Sequence, residues 1–346
     1  MPPRSWAATI PAAASRSAPR SPSAGSPRGT WPGRMTDRDT QAGGLATGLR
    51  SGLAGGVLLG CTASLAWGIF NVGSELGQAA GFRPSDLTFL RFSVASLLLL
   101  PVLLMARKGR PPVIKVLALS VLVGPLFSLL LNAGFQHAPL SHAVVVSPGM
   151  SMLTANTLVH LTGRKLPSAN RIVGIVLLLA GLLAIAFDAP PPKREGLSVL
   201  VGDLCFICTG MLWGSYVFAM GRWRLEPVQT TAAIALVSCL GYAPLWLAQG
   251  GIPSLPASQW LAQAFFQGVI GGALAFMIQA ATVLRLGAGR AALFSALVPP
   301  TAVLLAIPVA GVWPAPIQWA SVGLATLGLA ISLDLKGGIA APATRG

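Results

Sequence analysis

SLAWGIFNVGSELG at Ser64–Gly77 and GMLWGSYVFAMG at Gly210–Gly221 are two versions of one stretch. Trp67-Gly68 of the first aligns with Trp213-Gly214 of the second, 146 residues further on. Each version closes one long apolar run and is followed by another. If the two versions open equivalent halves, the chain is a duplicated membrane protein.

The composition points the same way. Hydrophobic residues make up 53% of the 346, the mean hydropathy is +0.70, and only 10% are charged, against roughly 25% in soluble domains. Nine acidic residues cannot solvate a globule of this size, so an integral membrane protein is expected. The net charge of +15 raises the question of nucleic acid. The basic residues, however, sit between apolar runs and not on one motif, and no nucleic-acid partner is expected. Cys61, Cys205, Cys208 and Cys239 all fall inside apolar runs. Cys205 and Cys208 have CxxC spacing, but small packing residues are the better reading than zinc or redox ligands. Three His and nine scattered acids give no HExxH, no GxSxG and no phosphate-cradling glycine loop. No enzyme, catalytic residue, metal or cofactor is therefore expected.

Outward from the paired stretches, ten apolar segments follow Arg50: 54–75, 86–106, 113–135, 141–161, 169–187, 197–219, 228–248, 260–284, 289–310 and 315–334. Each is near the ~20 residues that a helix needs to cross a bilayer. Residues 1–53 show no hydrophobic period and read as a disordered basic tail. Residues 1–34 are Arg- and Ser-rich and acid-poor, as in a transit peptide; translation from Met35 is the stronger reading. The expected partition is a tail to residue 53, a first five-helix repeat over 54–187, an outer linker at 188–196, a second repeat over 197–335, and a C-terminal tail at 336–346.

Charge sets the orientation. With the N-terminus inside, only Arg83, Lys193 and Arg194 fall in outer loops, and Arg91 lies within a segment. Every other Lys and Arg is inside, a strong positive-inside bias. Both termini are then cytoplasmic, in a plasma (inner) membrane. The repeat also extends beyond the Trp-Gly pair. Asn132–Ser147 aligns with Gln279–Ser295, and Gly174–Asp188 with Gly323–Asp334. Five helices per half is an odd number, so the second half is inverted relative to the first. The fold class expected is all-α integral membrane, ten transmembrane helices as two inverted five-helix repeats, with a solute site at the interface near mid-bilayer.

These residues resemble the drug/metabolite transporter superfamily in its ten-helix EamA-type branch. The matching pieces are LAWG at Leu65–Gly68, LRFSVASLLLLP at Leu90–Pro101, GDLCFICTGMLWG at Gly202–Gly214, AALFSALVPPTAVLLA at Ala291–Ala306 and PIQWASVGLATLGLAI at Pro316–Ile331. The resemblance covers about residues 54–335. It implies a cavity between the halves and transport of small metabolites, often outward. Gly163-Arg164 and Gly311-Val312 stand where the family usually has Gly-Glu, and Glu75 where it often has Lys.

Three polar stripes are candidates for a pathway. The first segment places Cys61, Ser64, Trp67, Asn71 and Glu75 three or four apart, hence on one helix face. The third carries Ser120, Gly124, Ser128, Asn132 and Gln136, and the eighth Gln263, Gln267, Gly271, Ala275 and Gln279, each four apart. Such stripes line an aqueous cavity or glue helices together, at about 0.6–2 kcal/mol per hydrogen bond. Trp67, Trp213 and Tyr216 are either aromatic walls for an organic solute or packing. Arg91, inside the second segment, is a functional candidate by default; it either snorkels or pairs with Glu75, Asp86 or Asp203. His137 and His142 fall near an outer loop, as hydrated histidines or a proton acceptor.

The site residues expected are Trp67, Asn71, Glu75, Arg91, Ser128, Asn132, Trp213, Tyr216, Gln267 and Gln279. The function expected is a secondary transporter of small organic metabolites, amino-acid-like or drug-like, working by alternating access. Its partners are the solute, the lipid bilayer and protons or a counter-substrate, with room for a homodimer. A scaffold or sensor that keeps the fold without transport is the alternative. Cysteine labelling should place the 188–196 and 249–259 loops outside and the 107–112 and 220–227 loops inside; labelling of 107–112 from outside would overturn the orientation.

Overall fold

The computed structural model describes residues 37–105, 110–138, 140–164, 166–187, 197–249, 252–301, 304, 313 and 315–333. The expected linker at 188–196 and tail at 336–346 lie outside them, as do residues 1–36. By contact the chain divides into two compact units, Met1–Ala46 and Thr47–Gly346. The helices from Thr47 onward belong to the second.

All regular structure among the described residues is helical. The helices are α1 (Asp37–Ala79), α2 (Pro84–Met105), α3 (Val113–Val123), α4 (Pro125–His137), α5 (Leu140–Gly163), α6 (Ala169–Phe187), α7 (Leu197–Trp223) and α8 (Pro227–Ala248). Next comes a composite helix: α9 (Ala257–Gln263), a π-helical stretch (Ala264–Leu274) and α10 (Ala275–Leu286). α11 (Ala288–Leu293) runs into a 3₁₀ turn at Phe294–Leu297, and α12 covers Pro316–Ser332. Among the described residues, six helices are long and apolar enough to cross a membrane: Gly52–Ala79, Pro84–Met105, Val113–His137, Ser198–Trp223, Pro227–Ala248 and Ala257–Leu286. Ala169–Ala184 and Pro316–Ser332 are shorter apolar helices.

One expectation is corrected at the start of the bundle. Residues 37–53, read as part of a disordered tail, are helical and belong to α1. No proline interrupts the chain between Pro32 and Pro84, so nothing there breaks the backbone ladder.

Local chemistry explains where several helices begin and stop. α8 starts with Pro227 in its first position, where a missing N–H costs nothing. Glu226 caps it, its carboxylate accepting from the backbone N–H of Val228 (3.1 Å) and Gln229 (2.6 Å). The third expected segment is not continuous. Gly124 ends α3, its N–H donating to Ser120 O at 2.8 Å, and Pro125 opens α4. Proline forbids an uninterrupted ladder at that point.

The interior is mainly apolar, but the outer face is apolar too and some polar groups are buried. Leu97, Leu104, Leu200 and Leu261 are exposed on the outside, whereas Ser128, Asn132, Gln267 and Thr209 are buried. α5 packs on α7, α2 on α8 and on the π stretch, α4 on α7, and α6 on α12. Small residues permit the closest of these contacts. A β-carbon on Gly210 would lie 2.5 Å from Ser147 O, and one on Gly214 2.5 Å from Ser151 O. Helices α5 and α7 therefore touch backbone to backbone. Thr209 adds a bond across this contact, its hydroxyl 3.2 Å from Ser147 Oγ.

Gly214→Val should force α5 and α7 apart and lower stability by roughly 1–3 kcal/mol, read as a lower melting temperature of the purified protein in detergent. Gly241→Ala, with nothing within 4 Å of the new carbon, should leave it unchanged or slightly raised.

Candidate functional site

The duplicated Trp-Gly pairs meet. The Trp67 ring on α1 and the Trp213 ring on α7 lie 4.8 Å apart, centroid to centroid, at 79°. Such edge-to-face pairs add about 0.5–1.5 kcal/mol beyond their buried area. Phe276 on α10 completes the cluster, 5.4 Å from Trp67 and 5.3 Å from Trp213, both tilted steeply. Tyr216, one turn beyond Trp213, is fully buried and 5.7 Å from Phe276. Phe70 on α1 and Phe127 on α4 extend the cluster to 5.4 Å from Trp67 and 5.8 Å from Trp213 respectively.

A cavity of about 70 Å³ opens against these rings. That is room for several waters at roughly 10–15 Å³ each. α1 contributes Trp67 and Asn71 to its wall, and α4 contributes Phe127, Leu131 and Phe135. α5 contributes Ala143, Ser147, Pro148 and Ser151; α7 contributes Trp213; the 3₁₀ turn and its continuation contribute Ser295 and Val298. The wall is thus mostly apolar, with one amide and three hydroxyls to orient a solute. None of these lining residues is charged.

Arg91 lies behind that wall. It is fully buried, and its guanidinium carbon is 4.8 Å from the Phe70 ring, 4.9 Å from Phe276, 5.4 Å from Trp67 and 5.5 Å from Phe127. Aromatic faces stabilise a cation by about 0.5–2 kcal/mol each. Nη1 donates to Ser128 Oγ at 3.3 Å, while Nε and Nη2 have no partner. The π stretch brings its backbone close here. Gly272 faces the Arg91 carbonyl, and Gly268 faces Val94. Glycine is required at Gly272, where any β-carbon would meet backbone.

None of the acids expected as partners of Arg91 pairs with it, which corrects the pairing alternative. Asp86 is fully buried and accepts from Arg83 backbone N (2.9 Å), Arg83 Nε (2.9 Å), Arg83 Nη2 (2.8 Å) and Trp246 Nε1 (2.9 Å). Arg83, three residues away, reaches Asp86 at less entropic cost than a partner farther along the helix. Asp203 pairs with His142 Nδ1 at 2.8 Å, and Glu75 is exposed. His137 Nδ1 is 3.2 Å from Ser198 Oγ. Both histidines therefore bridge to α7 instead of standing free in a loop.

Of the expected site residues, Trp67, Asn71 and Trp213 line the cavity, and Tyr216, Arg91 and Ser128 pack directly behind it. The others lie elsewhere. Asn132 accepts from Gln78 Nε2 at 3.3 Å. Gln267 Nε2 donates to Ser74 Oγ at 3.0 Å, and Gln263 Nε2 to Gly73 O at 2.9 Å, so the eighth-segment stripe ties the composite helix to α1. Gln279 is buried, with its Nε2 unpartnered. The sequence reading missed the contribution of α5. Ser147 and Ser151 are four apart and carried the signal, since Gly210 and Gly214, also four apart, match their spacing on α7.

A bundle with apolar outer faces, buried polar groups and an aromatic-walled internal cavity defines a multi-pass membrane protein. The chain belongs to the EamA-like transporter family, whose model matches residues 54–187 and again 200–333, and through it to the drug/metabolite transporter superfamily. No curated protein matches the chain significantly. Among solved structures, one described only as the crystal structure of a protein superposes with a TM-score of 0.63 at 18% identity, over 81% of this chain and 96% of its own. At that identity the likeness concerns the fold alone.

Replacing Asp86 by Ala leaves the buried Trp246 N–H without an acceptor, which costs about 1–3 kcal/mol. The melting temperature should fall accordingly, and the fall should be smaller in a Trp246→Phe background, where that donor is gone.

Proposed function

We propose that the chain is a secondary transporter that moves small organic metabolites outward by alternating access. One observation carries the reading: the cavity lies between the two family-matched repeats and is walled on each side by the same tryptophan of the duplicated stretch, Trp67 and Trp213. A solute held there touches α1, α4 and α5 of the first repeat and α7 of the second. A rocking motion of one repeat against the other would expose it alternately to either side.

Ten spans, arranged as two inverted five-helix halves, fit this reading. α2 packs on α8 and α6 on α12, and each of these pairs joins helices in equivalent places of the two repeats. Contacts between equivalent helices are what a two-fold axis between the halves requires. The distribution of basic residues supports cytoplasmic termini in the plasma (inner) membrane. The drive is a gradient of solute or protons, and the pathway begins at Trp67, Asn71 and Trp213.

The test is efflux from proteoliposomes loaded with a panel of labelled amino acids and other small metabolites. Wild type should release at least one member faster than empty-protein vesicles. Trp213→Ala and Asn71→Leu should each slow that release by about tenfold or more, ~1.4 kcal/mol of barrier, with unchanged folded yield. Absence of flux across the whole panel would favour the scaffold or sensor.

A further inference from the structure

A cavity with no charge on its wall takes its charge selectivity from what lies just behind it. Here that group is Arg91. Its guanidinium is fully buried and stands against Trp67 and Phe127, which both line the cavity. No acid among the described residues pairs with it, because Asp86 is held by Arg83 and Trp246, and Asp203 by His142. Taking a cation out of water without a counter-charge is among the most costly arrangements a protein can hold. Inside a membrane such a group points to a ligand.

The unsatisfied atoms say which ligand. Nη1 is used by Ser128, whereas Nε and Nη2 are unpartnered. These two nitrogens form one edge of the guanidinium plane. That edge offers two parallel N–H groups and matches the two oxygens of a carboxylate. Around the cavity the Trp67 Nε1 donor and the hydroxyls of Tyr216 and Ser151, which can donate, also lack partners. The surplus is therefore in donors, as an anion requires. No acidic side chain lines the cavity to receive an ammonium group.

Resting on the transporter reading, we propose that Arg91 anchors the carboxylate of the transported solute, and that this solute is an organic anion with an aromatic or aliphatic body lying between Phe127, Leu131 and Trp213. Trp67 and Phe127 separate the cavity from the guanidinium, so one of these rings swings aside as the carboxylate docks. A solute carrying an ammonium in place of the carboxylate meets the Arg91 charge with nothing to offset it, and is excluded.

The experiment uses the purified full chain and matched probes that differ only at the charged end: phenylacetate against phenylacetamide, indole-3-acetate against indole-3-acetamide, and phenethylamine. Calorimetric titration should show each acid binding about tenfold or more tighter than its amide, and no binding of the amine. Arg91→Gln should abolish the preference for acid over amide, whereas Arg91→Lys, which keeps the charge but loses the fork, should retain a reduced one. Ser128→Asp supplies an internal carboxylate beside Nη1. It should weaken acid binding by about tenfold without lowering the melting temperature, and it serves as the decisive variant where Arg91→Gln does not fold. Equal binding of acids and amides, preference for the amine, or absence of binding by every probe would overturn the assignment, as would an acid preference that survives Arg91→Gln or Ser128→Asp. Flux of neutral or cationic solutes in the proteoliposome assay, with no acid preference, would overturn it while leaving the transporter reading intact. Absence of flux for every solute would remove both.

Discussion

The contact between Trp67 and Trp213 is the constraint on which the rest of the structure depends. A residue and its own repeat-equivalent can touch only where the two repeats meet. Their 4.8 Å contact therefore fixes how α1 approaches α7, and Phe276, Tyr216 and Phe127 fill the space around the pair. The glycine that follows Trp213 has its own task. Gly214 lets α7 lie against the backbone of α5 at Ser151, which turns the Trp213 ring toward the centre. The same sequence feature thus sets both the joint between the halves and the wall of the cavity.

The membrane explains which irregularities this bundle tolerates. Non-helical or wider backbone is stable in hydrocarbon only where other helices bury it. The break at Gly124-Pro125 meets this condition: Gly124 is buried, and a β-carbon on it would lie 2.8 Å from Ser238 Oγ of α8. The π stretch at Ala264–Leu274 meets it as well, with Gly268 and Gly272 pressed against α2. Polar side chains follow the same rule. Gln263, Gln267 and Ser64 are all buried and bond across helices, Ser64 to Phe294 O at 2.7 Å.

This also sets what could be read from sequence. The duplication, the helical class and the central place of Trp67, Asn71 and Trp213 were legible, because a repeated motif and an apolar run are local signals. The roles of the stripes were not. A four-residue spacing puts Gln267 and Asn71 on equivalent helix faces, but only the neighbours decide that Gln267 meets Ser74 while Asn71 meets open space. The lining residues of α4 and α5 were missed for the same reason, since Phe127, Leu131 and Pro148 look like any other membrane-core residues. The start of α1 at Asp37 was hidden by a polar, glycine-rich composition whose helicity depends on the absence of proline.

Arg91 was legible as an intramembrane charge that either snorkels or pairs with Glu75, Asp86 or Asp203, but which arginine Asp86 takes was not. Asp86 does pair with a nearby arginine, but Arg83 at three residues' distance also donates its backbone N–H and so outcompetes Arg91. Once Asp86 is committed, its remaining capacity goes to Trp246, and α2 is bound at that end to α8. Arg91 is left facing rings, with the Ser128 hydroxyl as the hydrogen-bond acceptor for Nη1. Cation–π contacts soften that position, yet a ring quadrupole falls well short of a counter-ion in a medium that screens poorly. A bundle built for stability alone would fill this place with Leu or Met. Packing alone does not explain a buried guanidinium with a free fork edge next to the cavity lined by both repeats.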